Sequence, residues 1–224
     1  MKKRPINLLL IPGLARETHQ WETFSQILEE QIIFSKTHLL ELPGVSEKIN
    51  LESFKRIETY TNELREEWLY LKDKHQGSWI IMAFSMGGMI GVDWCNRFPY
   101  DMTSLILINS FAGNLSLPPL RFDIKAMGKV LGHFLKEGGE HPIEKGILLK
   151  QIYTISRYKV PSELNCAIKV LASKKDNIVS YKCSEAIAKH FSTKVTLHKE
   201  SGHSIHLDDP KWLIDQVEDF LKNL

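Results

Sequence analysis

Residues 80–88 read Ile-Ile-Met-Ala-Phe-Ser-Met-Gly-Gly, and this stretch limits the folds open to the chain more than any other. The apolar run 78–84 is short and rich in large side chains, which predicts a buried strand. It ends at Ser85. Gly87 and Gly88 then lead into Met89, Ile90, Val92 and Trp94, whose spacing predicts a helix. A serine held between a strand and a helix by small residues is the pattern of a nucleophile elbow. The turn is so tight that neighbouring side chains collide with the adjoining backbone unless they are small. Two residues before the serine, where that pattern usually has glycine, stands Ala83. Such a turn sets a hydroxyl at the carboxyl end of a parallel sheet, facing the amino terminus of the next helix. Small residues at this place also suit plain packing, and the other segments decide between the two.

Those segments alternate. Residues 6–11 form an apolar run stopped by Pro12-Gly13, and residues 38–42 form a second, closed by Pro43-Gly44. Between them Trp21, Phe24, Ile27, Leu28 and Ile32 recur at helical spacing, as do Phe54, Ile57, Leu64, Trp68 and Leu71 across 51–71. After the elbow helix, which runs to about Arg97, comes a strand at 105–109. The rhythm breaks over 111–165, where Pro118-Pro119, glycines and short amphipathic pieces (124–135 and 143–155) predict a helical cap over the sheet's carboxyl edge. It resumes with strands at 168–172 and 195–197 and a helix at 184–190 between them. Asp209-Pro210, a good N-cap followed by a good first helical residue, opens a last helix. Strands alternating with helices predict a mainly parallel six-stranded sheet with helices on both faces, in a single domain over 1–224.

A length of 224 residues suits one well-buried domain, and 43% hydrophobic with 25% charged residues is ordinary for a globular protein. The 29 basic and 27 acidic residues are spread along the chain, which leaves no footprint for nucleic acid. Cys95, Cys166 and Cys183 are few, odd in number and far apart, so a disulfide framework is not expected and a reducing, cytoplasmic setting is. No Cys/His pair has zinc-site spacing, so no metal is expected. The basic start and the run 6–11 are too short for a secretion signal, and no run is long enough to span a membrane.

A serine nucleophile needs a base, and the base needs a group to orient it. A parallel sheet offers its working edge just after each strand. There the chain places Asp176, after the strand 168–172, and Gly202-His203, after the strand 195–197. Ser85, Asp176, His203 is therefore the expected triad, with Asp176 on Nδ1 of His203 and Nε2 free to take the Ser85 proton. Asp101 sits at the other edge, Asp208 and Asp209 suit capping of the last helix, His206 lacks a preceding glycine, and His198 falls within a strand. His19 suits an exposed loop near the first strand. The amide of Met86 and that of Leu14, in the loop after the first strand, are the candidate oxyanion donors. Trp21, Phe84, Met86 and Phe111 are candidates for an acyl pocket, with core packing an equal account of Phe84.

With these segments in hand the chain resembles the α/β-hydrolase superfamily over nearly its full length. Within it, the chain is similar to small esterases of the pimeloyl-carrier-protein methyl ester esterase type. The resemblance lies in Leu-Leu-Ile-Pro-Gly-Leu with Trp21 downstream, Glu-Leu-Pro-Gly at 41–44, Ala-Phe-Ser-Met-Gly-Gly at 83–88, Leu-Ala-Ser-Lys-Lys-Asp-Asn-Ile-Val at 171–179 and Ser-Gly-His at 201–203. Three departures stand out: the antiparallel amino-terminal strands of the superfamily are missing, its His-Gly before the oxyanion loop is Pro12-Gly13, and the first elbow glycine is Ala83. The resemblance implies a serine hydrolase that cleaves a carboxylic ester through an acyl-enzyme, without cofactor. An acyl thioesterase, or a hydrolase-fold binding protein with little turnover, are the alternatives. It also raises an acidic acyl-carrier protein as partner, received by Arg121, Lys125, Lys129, Lys136 and Arg157, although solvated helix faces explain such residues more often.

Overall fold

The apolar runs bounded by glycine and proline become strands, and the amphipathic stretches between them become helices that cover the sheet on both sides. The computed structural model describes residues 5–14, 19–31, 34–44, 48, 54–116 and 145–224. In chain order the elements are β1 (Ile6–Ile11), α1 (His19–Gln31), β2 (Phe34–Leu39), α2 (Ile57–Lys74), β3 (Ser78–Phe84), α3 (Met86–Arg97) and β4 (Ser104–Ile108). They continue with α4 (Lys145–Arg157), β5 (Ala167–Ser173), α5 (Tyr181–His190), β6 (Val195–His198), α6 (Ile205–Asp208) and α7 (Pro210–Lys222). All six strands run parallel in the order β2-β1-β3-β4-β5-β6.

The central strands are apolar at every position because both of their faces are covered. Leu9, Ile11, Ile81, Ala83, Leu105 and Leu107 belong to one buried cluster, with Ile57, Leu64 and Trp68 of α2, Ile90 and Trp94 of α3 and Ile187 of α5. Their neighbours Leu8, Leu10, Ile80, Met82, Ile106 and Ile108 face the other way, onto Trp21, Phe24 and Leu28 of α1 and Leu213, Ile214 and Val217 of α7. The strand order reverses between β1 and β3. In open parallel sheets such a switch point is where a crevice forms beyond the carboxyl ends of the strands, because the following helices leave in opposite directions.

Two elements start elsewhere than the sequence predicts. β2 covers Phe34–Leu39 rather than 38–42: Leu39 pairs with Leu10, the Leu40 amide makes a last bond to the Leu10 carbonyl at 3.0 Å, and pairing stops. Leu40 and Leu42 are buried beyond the ladder, so their apolar character reports burial and not pairing. α2 begins at Ile57 because Arg56 is extended, with φ −142° and ψ 139°. Of the expected cap, residues 117–144 lie outside the described residues, and with them Arg121, Lys125, Lys129, Lys136 and the piece 124–135. Its carboxyl end is α4, which buries Ile147 and Ile155 and donates from Thr154 Oγ1 to the Phe54 carbonyl at 2.8 Å. Asn114 and Val160 clasp the stems of this insertion by two hydrogen bonds, of 3.3 and 3.1 Å. Among the described residues no helix is long and apolar enough to cross a membrane.

Candidate active site

Ser85 lies between β3 and α3 with φ 51° and ψ −116°, a left-handed conformation that costs a non-glycine residue of order 1–3 kcal/mol. Its backbone is held on three sides. The Ser85 amide donates to the Ile108 carbonyl at 2.9 Å, and its carbonyl accepts from Ser110 Oγ at 2.6 Å and from the Gly88 amide at 3.0 Å. Gly87 has to be glycine here. A Cβ on it would stand 2.5 Å from the carbonyl oxygens of both Ile11 and Pro12, because α3 starts directly against the end of β1. The loop after β1 leans on the elbow from that side: a Cβ on Gly13 would meet Phe84 at 2.9 Å and the Ser85 Cβ at 3.1 Å. Gly13 thus borders the serine on one side, with Leu14 next in the chain, and Met86, fully buried, opens α3 on the other.

Asp176 and His203 meet. His203 Nδ1 lies 2.6 Å from Asp176 Oδ2, while Asp176 Oδ1 accepts from the amides of Ile178 and Val179 at 2.8 and 2.9 Å. The carboxylate is entirely covered and three bonds fix its position. An ionised carboxylate on Nδ1 requires the proton there, which leaves Nε2 as an acceptor. The His203 ring rests on Phe84, with centroids 4.7 Å apart, so it stands over the residue just before the serine. Ser85 and His203 are 7% and 8% exposed. Among the described residues Ser85 Oγ makes no hydrogen bond to the His203 ring.

Residues that the sequence did not single out hold this arrangement. Asn109, directly after β4 and left-handed at φ 47°, donates from Nδ2 to the His203 carbonyl at 2.6 Å and accepts the Ser173 amide at 2.8 Å. It ties the histidine loop to the end of β5. Ser110 ties β4 to the elbow. The one visible signal was a polar pair, Asn-Ser, closing an apolar strand. Asp208 was expected to cap the last helix but accepts the Gly202 amide at 2.8 Å and so braces the histidine loop. Asp209 alone caps α7, through the Trp212 amide at 3.0 Å. His198 accepts the Ser201 amide on Nδ1 at 2.8 Å, so Nε2 carries the proton toward Asp209, 3.1 Å away.

The other candidates are placed as follows. His206 stacks on Trp21, with centroids 3.8 Å apart, inside the apolar layer under α1. Asp101 is largely buried and paired to Arg65 Nε at 2.6 Å and Trp94 Nε1 at 3.1 Å, away from His203. The His19 side chain lies outside the described residues. Trp21 and Phe84 are buried edge to face at 5.7 Å, and Phe111 is buried in the cluster on the α3 side. No three His, Cys, Asp or Glu side chains converge as metal ligands among the described residues.

A parallel sheet with a strained serine after β3 and helices on both faces is the α/β-hydrolase fold. Solved structures of similar shape share it. A lipase-esterase related protein from Clostridium acetobutylicum superposes with a TM-score of 0.72 at 16% identity, over 98% of this chain and 96% of its own. The RedJ thioesterase of the prodiginine biosynthetic pathway in Streptomyces coelicolor gives 0.72 at 14% identity, over 96% and 86%. A thermophilic esterase from Thermogutta terrifontis gives 0.68 at 16%, over 99% and 91%. No protein-family model matches the sequence, and neither does any curated protein.

Proposed function

We propose that the protein is a serine hydrolase that cleaves a carboxylic ester through an acyl-enzyme. The observation that carries this reading is the Asp176–His203 pair, its ring resting on Phe84, beside a serine held in a left-handed turn. In the proposed reaction His203 Nε2 takes the proton of Ser85 Oγ as the oxygen attacks the ester carbonyl. Asp176 keeps the ring in the right tautomer and stabilises the imidazolium. The amides of Leu14 and Met86 receive the oxyanion, each such donor being worth about 3 kcal/mol in the transition state. His203 then protonates the departing alcohol. Water, deprotonated by the same nitrogen, releases the acid and regenerates Ser85. Trp21, Phe84, Met86 and Phe111 are the side chains we assign to the acyl side.

A thioester is the second substrate class, favoured by the likeness to the RedJ thioesterase. In that case an acyl-carrier protein is the natural donor, with the exposed Arg157 of α4 among its contacts. Three free cysteines suit a reducing compartment such as the cytoplasm. The test is a fluorophosphonate probe together with p-nitrophenyl esters and acyl thioesters of graded chain length. The wild type should be labelled and should turn over one of the two series, whereas Ser85→Ala should do neither. Labelling without turnover would favour a binding protein on this fold, and equal labelling of Ser85→Ala would remove the serine from the mechanism.

A further inference from the structure

A cavity of about 770 Å³ opens between the amino terminus of α2, the carboxyl half of α3 and the segment that follows α4. It is separate from the serine. Asp93, which lines it, stands eight residues beyond Ser85, or about 12 Å along the helix at 1.5 Å per residue. Five cationic side chains line it, Lys55, Arg56, Arg97, Arg157 and Lys159, against the two carboxylates of Glu58 and Asp93. Both carboxylates are engaged: Asp93 with Arg97 Nε at 2.9 Å, and Glu58 with Arg56 at 3.4 Å. Among the described residues Lys55, Arg157 and Lys159 have no carboxylate partner. The charge left over is therefore positive.

Two further features turn that excess toward a bound group. Tyr158 is 8% exposed, lines the cavity, and its hydroxyl makes no hydrogen bond among the described residues. A phenol on the cavity wall can donate to whatever occupies the cavity. Burial, helped by the nearby charges of Asp93 and Glu58, pushes the phenol above its ordinary range, so it remains a donor at any physiological pH. The second feature is the start of α2, where Ile57 and Glu58 line the cavity and the N-cap residue Arg56 makes no side-chain cap. This is the positive end of an 18-residue helix, met in part by the Glu58 carboxylate, which accepts its own backbone amide. Arg97 is already spent on the wall: Nη2 donates to the Glu58 carbonyl and to Asn62 Oδ1, both at 2.9 Å, and so fixes α2 against α3.

We propose that this cavity binds a phosphoryl group, with Tyr158, the first turn of α2 and the cations Lys55, Arg157 and Lys159 as its donors. One guanidinium satisfies a carboxylate, whereas a phosphate dianion accepts from several donors at once, which fits the number and charge gathered here. The volume exceeds what inorganic phosphate fills, so the occupant is a phosphate ester of a small polar molecule.

Inorganic phosphate, ribose 5-phosphate and ribose, titrated into the full-length protein by calorimetry, test this. Ribose 5-phosphate should bind one to one and more tightly than phosphate, and ribose should not bind. Phosphate binding as tightly as the ester would overturn the ester as the occupant. Tyr158→Phe, which keeps the ring, should weaken binding about tenfold, as expected for loss of one hydrogen bond to a charged group. Arg157→Gln/Lys159→Gln, confined to exposed side chains, should weaken it similarly and flatten its salt dependence. Ser85→Ala should bind like the wild type, so failure here is separable from failure of the hydrolase reading. Absence of binding by both phosphates below about 10 mM, or equal binding by wild type and both variants, would overturn the proposal.

Discussion

Asn109 shows what a single side chain does at this site. Its amide satisfies two backbone groups from opposite directions, the His203 carbonyl and the Ser173 amide, and its own backbone occupies the left-handed region that asparagine tolerates best among non-glycine residues. Asn109→Ala would leave both groups buried and unpaired. The expected loss is about 2–4 kcal/mol of stability, summed over two orphaned groups at 1–3 kcal/mol each and partly relieved by water. Equilibrium urea denaturation measures it. The same variant should slow fluorophosphonate labelling of Ser85 while leaving the labelled residue unchanged, because the histidine loop loses its tie to β5. A labelling rate equal to the wild type would mean that Asn109 only stabilises the fold. Ser85, Asp176 and His203, the residues proposed for catalysis, stood out in the sequence because each follows an apolar run at the same edge of the sheet. Asn109 did not, since its partners lie 94 and 64 residues away and nothing in its own neighbourhood announces them.

At the scale of elements, the contact between α3 and β1 fixes where the serine stands. Gly87 packs its α-carbon against the last two carbonyls of the β1 segment, and these are backbone atoms that cannot rotate away. Gly87→Ala should therefore push α3 off β1, at a cost of about 1–3 kcal/mol for overpacking. It should lower kcat more than it raises KM, because the displaced group is the proposed nucleophile and not the pocket. Steady-state kinetics on a p-nitrophenyl ester, alongside thermal unfolding, checks both effects; an unaltered kcat would sink the argument. The glycine pair after Ser85 signalled such close approach in the sequence. Element starts were harder to read. The apolar residues at Leu40 and Leu42 extend a core beyond the end of the β2 ladder, and Phe54 packs against the core ahead of α2 without joining it. Burial and hydrogen bonding coincide in the middle of an element and separate at its ends, so periodicity alone misplaces the ends.

For the molecule as a whole, the acid limit of stability is set in part outside the candidate site. His38 of β2 is buried between His75 and Trp79, with ring centroids at 4.7 and 5.1 Å, and its Nε2 has no hydrogen-bond partner among the described residues. Burial, reinforced by the charges of His75 and Lys36 and opposed by Glu29, lowers its pKa from 6.5 to about 4. Between these values the unfolded chain holds the proton that the folded chain refuses, so folding stability is full above about pH 6.5 and falls as the pH drops toward 4. A difference of 2.5 units corresponds to at most about 3 kcal/mol, spread over that window. Asp209, held below the usual carboxylate range by the Trp212 amide and His198, loses its contribution only in the lower part of the acid range. The two effects therefore separate on the pH axis. Urea unfolding free energies at pH 7.5, 6 and 5 should fall steadily for the wild type. In His38→Gln, which keeps a polar side chain and cannot titrate, the fall over the same interval should shrink by about 1–2 kcal/mol. Parallel curves for the two proteins would show that His38 is protonated as readily in the fold as outside it, and that the acid sensitivity of this sheet originates in another group.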